Sequence, residues 1–162
     1  MLNGVFDNST IIFFGKDMEL KVGEEVAKYS KKILLHFGGI SFKKYGLYTK
    51  VVASLKKAKI TYVELGGVKS NPRASLVYKG IELCRKESID FILAVGGGSV
   101  IDSAKTISIG VPWLGDFFDF FEGKRTPQKA LKVATILTIP GTGSESSDAA
   151  VITHEEKKLK RP

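Results

Sequence analysis

Asp90-Phe-Ile-Leu-Ala-Val-Gly96-Gly97-Gly98-Ser99-Val100-Ile101-Asp102-Ser103-Ala104-Lys105 decides the fold. It begins with one acidic residue and an unbroken apolar run. A strand that is apolar at every position, rather than at alternate ones, is buried on both faces, as the strands of a parallel sheet are. Three glycines end the run, Ser99 follows, and residues 100–109 continue with helical spacing. Buried strand, glycine turn and helix in direct succession open a βαβ unit.

The same grammar repeats on either side. Lys32-Ile-Leu-Leu-His-Phe37 is a second apolar run, closed by Gly38-Gly39, and Ile60-Thr-Tyr-Val-Glu-Leu65 reads as the next strand, stopped by Gly66-Gly67. Downstream, Lys132-Val-Ala-Thr-Ile-Leu-Thr-Ile139 leads into the polar Pro140-Gly-Thr-Gly-Ser-Glu145. Helical periodicity fills the intervals. Residues 17–30 carry Met18, Val22, Val26 and Tyr29, with Gly23 as a weak point; a helix from Ser41 or Lys43 through Lys57 carries Leu47, Val51, Val52 and Leu55. Behind the Asn71-Pro72 entry, residues 73–86 carry Leu76, Val77, Ile81, Leu83 and Cys84. Thr10-Ile-Ile-Phe-Phe14, closed by Gly15, reads as a further strand, and so does the stretch around Val151 and Ile152. Residues 112–123 read as a short helix and loop, and residues 155–161 as a charged tail. The alternation predicts an α/β fold: a Rossmann-like, doubly wound parallel sheet with helices on both faces, in one domain over 1–162.

Composition agrees. A chain of 162 residues with 43% apolar content is one domain's worth of core. The single cysteine, Cys84, excludes an internal disulfide, reads as a small core hydrophobe, and suits a reducing, cytoplasmic setting. Nothing approaches the about 20 apolar residues of a membrane helix, and Met1–Asp7 has no signal-peptide pattern. The net charge of +8 is concentrated: residues 16–59 hold eleven lysines against four carboxylates. Such a basic region suits acidic ligands, although solvated helix faces account for most of it. It lacks the interleaved aromatics, zinc spacing or RNP-like strand of a nucleic-acid binder.

Ligands of an open α/β sheet bind outside the carboxyl ends of its strands. Three polar, glycine-rich turns lie there, at 38–46, 96–102 and 138–145. Gly96, Gly97 and Gly98 let backbone N–H groups approach a ligand closely, and the start of the following helix favours a pyrophosphate. Ser99 either caps that helix or donates to a phosphate oxygen. The turn is neither G-x-G-x-x-G, since Ile101 stands at the last glycine, nor a Walker A loop. Asp102 either orients a ligand or forms a plain i,i+3 pair with Lys105.

Taken together, these residues resemble the iron-containing alcohol dehydrogenase family. Gly96-Gly-Gly-Ser-Val-Ile-Asp-Ser-Ala-Lys105 matches its G-G-G-S-x-x-D-x-A-K signature, and Thr138-Ile-Pro-Gly-Thr-Gly-Ser-Glu145 its second loop. Phe13-Phe-Gly15 and Asn71-Pro72 fall in the expected places, while Ile40 and Asn8-Ser9 depart from the commoner pattern. The turn from Gly38 to Gly46 is most similar to the butanol-dehydrogenase and aldehyde-reductase branch. The resemblance implies a nicotinamide cofactor interconverting primary alcohols and aldehydes by hydride transfer. It implies Gly97, Gly98 and Ser99 on the pyrophosphate, and Thr138, Thr142 and Ser144 on the nicotinamide-ribose and phosphate side. Asn71 would touch the adenosine end, Asp102 would lie near the nicotinamide, and Lys160 would reach a ribose. The first turn, with Gly38, Gly39, Ser41, Lys43 and Lys44 and no carboxylate, favours NADP over NAD, because a 2′-phosphate meets donors without like charge.

The family's divalent metal, iron or zinc, implies an aspartate and three histidines in a second, helical domain. The two histidines here, His36 and His154, have no metal spacing. His36 reads as a core or strand-end residue and His154 as a surface one. No metal ligand and no catalytic residue is therefore expected, and the chain reads as a cofactor domain ending before the metal domain, inactive alone. A homodimer through the N-terminal strand is a further expectation of the resemblance. The alternatives are a non-catalytic nucleotide-binding module, the cofactor domain of a glycerol-dehydrogenase-like relative, and a basic nucleic-acid binder.

Overall fold

The computed structural model describes residues 9–162; Met1–Asn8, which include the segment read for a signal peptide, lie outside the described residues. A 3-10 turn at Met18–Lys21 leads into α1 (Val22–Ala27), followed by β1 (Lys32–Phe37), α2 (Ser41–Lys44), α3 (Leu47–Lys57) and β2 (Thr61–Leu65). Then come α4 (Ala74–Lys86), β3 (Phe91–Gly96), α5 (Gly98–Gly110), α6 (Phe118–Phe121) and β4 (Lys132–Leu137). The hairpin β5 (Ile152–His154) and β6 (Leu159–Arg161) closes the chain.

β1 to β4 form one parallel sheet in the order β2-β1-β3-β4. Alternate residues point to opposite faces, and each face has its own helical layer. Ile33, Leu35 and Phe37 of β1 and Leu93 of β3 pack on Val26 of α1 and on Val51, Val52 and Leu55 of α3. Leu34 of β1 and Ile92 and Ala94 of β3 pack on α4 and α5 through Val77, Ile81, Ala104 and Ile107. The unbroken apolar runs of β1 and β3 are thus explained: both strands are central and covered twice. Each fully buried leucine or isoleucine contributes about 1.5–3 kcal/mol.

Gly23, expected to weaken the first helix, is what lets it dock. A Cβ there would stand 2.1 Å from the Ser54 carbonyl oxygen, so α1 lies against α3 only with glycine at this position. The Gly23 N–H donates to Ser54 Oγ at 2.9 Å, and that hydroxyl donates to the Leu20 carbonyl at 2.6 Å.

Four local expectations change. Thr10–Phe14 forms no strand; Ile11, Ile12, Phe13 and Phe14 are exposed, because no strand among the described residues offers them a ladder. The helix expected from Ser41 or Lys43 through Lys57 begins at Ser41 but is broken, with Gly46 in the left-handed region at φ 80° separating α2 from α3. The charged tail forms β6, which pairs antiparallel with β5 as a separate sheet. That hairpin docks on the main body, where the Thr153 N–H donates to the Pro72 carbonyl at 2.8 Å and Ile152 is fully buried. His154 is consequently buried rather than on the surface, its ring edge-on to Phe118 at 4.7 Å between centroids. No described helix is long and apolar enough to cross a membrane.

Candidate functional site

The strand order reverses between β1, which connects outward to β2, and β3, which connects the other way to β4. Crevices form at such switch points, at the carboxyl ends of the strands. The turns after β1, β2, β3 and β4 all emerge at that end. They carry Gly38 to Ser41, Asn71, Gly96 to Ser99, and Thr138 to Ser144.

The turn after β1 is held from the neighbouring strand's end: the Gly67 N–H donates to the Gly38 carbonyl at 2.9 Å. Gly39 faces open space, with nothing within 4 Å of where a Cβ would stand, and Ser41 begins α2. After β2, Asn71 sits in the left-handed region at φ 55°, which asparagine tolerates better than most residues. Lys160 Nζ donates to Asn71 Oδ1 at 2.7 Å, so two expected site residues far apart in sequence meet through the closing hairpin.

After β3, Gly97 is the N-cap of α5 in an extended conformation, and no side chain caps the helix. The capping alternative for Ser99 is therefore not realised, and Gly98 and Ser99 open the helix with their N–H groups at its positive end. Gly98 also admits the turn after β4. A Cβ on Gly98 would lie 2.6 Å from Thr142 Oγ1 and 3.2 Å from Thr142 Cβ. Where β4 ends, the Thr138 N–H donates to the Gly96 carbonyl at 3.0 Å, bringing the start of this second loop beside the glycine turn.

Asp102 and Lys105 staple the same loop from below. Ser144 Oγ donates to Asp102 Oδ1 at 2.6 Å, and the Val151 N–H donates to Asp102 Oδ2 at 3.1 Å. Lys105 Nζ donates to the carbonyls of Ser144 at 2.9 Å, of Ser147 at 3.1 Å, and of Ala149. Burial pulls the Lys105 ammonium's pKa down, against the opposing pull of Asp102, Asp148 and Glu145. The simple i,i+3 pair is thus the lesser part of the story: the two charges are 3.8 Å apart, and both mainly bind the loop. Lys105 is the residue that the reading of the sequence missed. Its only signal was its place at the end of the G-G-G-S-x-x-D-x-A-K pattern, which says nothing about a loop forty residues on.

His36, at the end of β1, is part of this scaffold. The Leu65 carbonyl can only accept, so at 2.8 Å Nδ1 carries the proton, and Nε2 accepts from the Ser103 hydroxyl at 2.9 Å. Burial pushes its pKa down to about 4, partly offset by the Leu65 bond, and the ring is neutral. Neither histidine belongs to a metal cluster, and no group of three or more His, Cys, Asp or Glu among the described residues could hold a metal. The residues present therefore do not fit the family's metal. They do fit a dinucleotide, through a close-packed glycine turn at a helix start and an open first turn beside it.

The profile of iron-containing alcohol dehydrogenases matches residues 9–162. Over 160 residues the chain is 45% identical to the "Probable NADH-dependent butanol dehydrogenase 1" of Bacillus subtilis (strain 168), covering 99% of this chain and 41% of that protein. Over 149 residues it is 32% identical to the NADPH-dependent aldehyde reductase YqhD of Escherichia coli (strain K12), covering 90% of this chain and 38% of that one. The crystal structure of NADH-dependent butanol dehydrogenase A from Thermotoga maritima superposes with a TM-score of 0.95 at 46% identity, over 98% of this chain and 40% of that chain. The chain thus spans about 40% of the length of the relatives it matches. With its α/β fold, both signature turns in contact and a profile match along almost its whole length, the chain belongs to the iron-containing alcohol dehydrogenase family.

Proposed function

We propose that this chain, as one domain over 1–162, is the nicotinamide-cofactor-binding part of an enzyme that interconverts primary alcohols and aldehydes. The observation that carries the reading is the contact between the two signature turns, Gly98 against Thr142, at the switch point of the sheet. In this reading Gly97, Gly98 and Ser99 hold the pyrophosphate with backbone donors, Thr138, Thr142 and Ser144 line the nicotinamide-ribose side, and Asn71 with Lys160 serves the adenosine and ribose end. Asp102 acts on the nicotinamide side through Ser144, which it holds, rather than by an oxygen free for the ligand. The bound nicotinamide would supply the hydride carrier; this chain's residues bind and orient it.

The first turn, without a carboxylate and with open space at Gly39, admits the 2′-phosphate of NADP, and NAD fits the same turn. The alcohol or aldehyde, and the family's iron or zinc, need groups that the described residues do not supply. The exposed Ile11–Phe14 segment suits pairing with a second copy, giving a homodimer, and the cytoplasm suits the buried free thiol of Cys84. Fluorescence titration of the 162-residue chain with NADH and NADPH tests the proposal, alongside an alcohol-oxidation assay with added Fe(II) or Zn(II). The expected result is saturable binding, tighter for NADPH, with no turnover. Binding of neither cofactor overturns the proposal, tighter NADH overturns the NADP assignment, and metal-dependent turnover overturns the inactivity of the chain.

A further inference from the structure

Lys43 stands in the first turn, where the 2′-phosphate of NADP would meet positive charge. Its ammonium is not free. Nζ donates to Glu64 Oε2 at 2.9 Å, and it lies 4.8 Å from the ring centroid of Tyr48 and 5.2 Å from that of Phe37. The Tyr48 hydroxyl donates to the other carboxylate oxygen, Oε1, at 2.5 Å. Partial burial pushes the Glu64 carboxyl up, but Lys43 and Tyr48 outweigh it and hold the group below the ordinary carboxylate value. No atom of Lys43 lies within 4 Å of the point where a Cβ on Gly39 would stand. Of the turn's two lysines, Lys43 is thus drawn across to the edge strand β2.

The carboxylate responsible is outside the turn. Glu64 is paired in register with Leu35 of β1, so it stands on the α3 face of the sheet edge, next to Lys43 and Tyr48. Residues 37–46 hold no carboxylate of their own, yet the fold sets the Glu64 carboxylate against a lysine of that turn. We propose that Glu64 tempers the chain's preference for NADPH over NADH by withholding Lys43 from the 2′-phosphate. The proposal rests on the cofactor-binding reading given above.

The physical basis is a competition. The side chains of Lys43 and Glu64 are 48% and 28% exposed, so their pair is weak enough to open. A 2′-phosphate carries more charge than a carboxylate and accepts stronger charge-assisted bonds. To engage it, Lys43 must leave Glu64, and the vacated carboxylate then stands near a second anion. NADH requires neither step. Glu64→Gln keeps the shape of the side chain and removes the charge, which frees Lys43.

The test is binding of NADH and NADPH to the 162-residue chain, followed by fluorescence, for wild type, E64Q, K43M and the double variant E64Q/K43M. Melting temperatures check that each is folded. E64Q is expected to raise the NADPH-to-NADH affinity ratio about fivefold at low salt, less at high salt as screening takes over. In the K43M background the same change is expected to raise the ratio by less, about twofold, because only the direct repulsion between the Glu64 carboxylate and the 2′-phosphate is then relieved. A ratio unaffected by E64Q, while both cofactors still bind, overturns the role of Glu64. A shift of undiminished size without Lys43 overturns the withholding of Lys43. Binding of neither cofactor to wild type overturns instead the cofactor reading on which the proposal stands. If E64Q does not fold, Glu64→Asp, which withdraws the carboxylate by one methylene, is expected to shift the ratio in the same direction.

Discussion

Replacing Lys105 with methionine tests whether the two signature turns are one device. Lys105 Nζ bonds three carbonyls of the second loop, at Ser144, Ser147 and Ala149, and its side chain is 18% exposed. A hydrogen bond from a charged donor is worth about 1.5–3 kcal/mol. The three are not additive, because the loop is near the surface and water can replace the lost donor at part of the set. A net loss of about 2–3 kcal/mol follows. For a chain of this size that lowers the melting temperature by about 5–10 °C.

The loop carries Thr142 and Ser144, so its detachment also reaches the site. Ser144 would keep its bond to Asp102, but Asp102 would lose the cation 3.8 Å away. A tenfold weaker cofactor affinity, about 1.4 kcal/mol, is the expected scale. Urea unfolding followed by circular dichroism reads the first effect, and NADPH titration at a temperature where the variant is fully folded reads the second. An unchanged midpoint together with an affinity within twofold of wild type would refute the staple. Lower stability with unchanged affinity would refute its link to the cofactor turn.

Gly98→Ala introduces a Cβ 2.6 Å from Thr142 Oγ1, so the gain in helix propensity is outweighed; a stability loss of about 1–2 kcal/mol is expected in chemical unfolding, with weaker cofactor binding. Adding Thr142→Ala to G98A is expected to recover the stability, and a neutral G98A would argue against the close approach of the two turns. His36 is depressed from 6.5 to about 4, so the unfolded chain takes up its proton first as the pH falls. Its contribution is complete above about pH 6.5 and is lost towards pH 4, a decline of about 3 kcal/mol that His36→Gln is expected to flatten in a pH series of unfolding midpoints.

How far the sequence could be read depended on the range of the interactions. Unbroken apolar runs at 32–37 and 90–95 can be satisfied only by a sheet covered on both faces, and the structure has that sheet. Period and turn chemistry are local properties, so strands and helices were legible to within a few residues. The glycine turns were also legible as lying together, because a parallel sheet places every strand-to-helix turn at one end. Residues 11–14 show the limit in the other direction: they have the composition of a strand, but no sheet among the described residues includes them.

By itself, then, the sequence determined the α/β class, the four parallel strands and the turns that face the crevice, since each follows from side-chain periodicity over a few residues. Tertiary structure decided what the individual polar groups are bound to. It turned Gly23 from a weak point into a docking contact, buried His154 where its own hairpin docks, drew Lys105 to a loop forty residues away, and set Glu64 against Lys43. Those pairings depend on strand order and on which face each residue occupies. Charge and hydrogen bonding act over a few ångströms of space, and distance along the chain does not report that space.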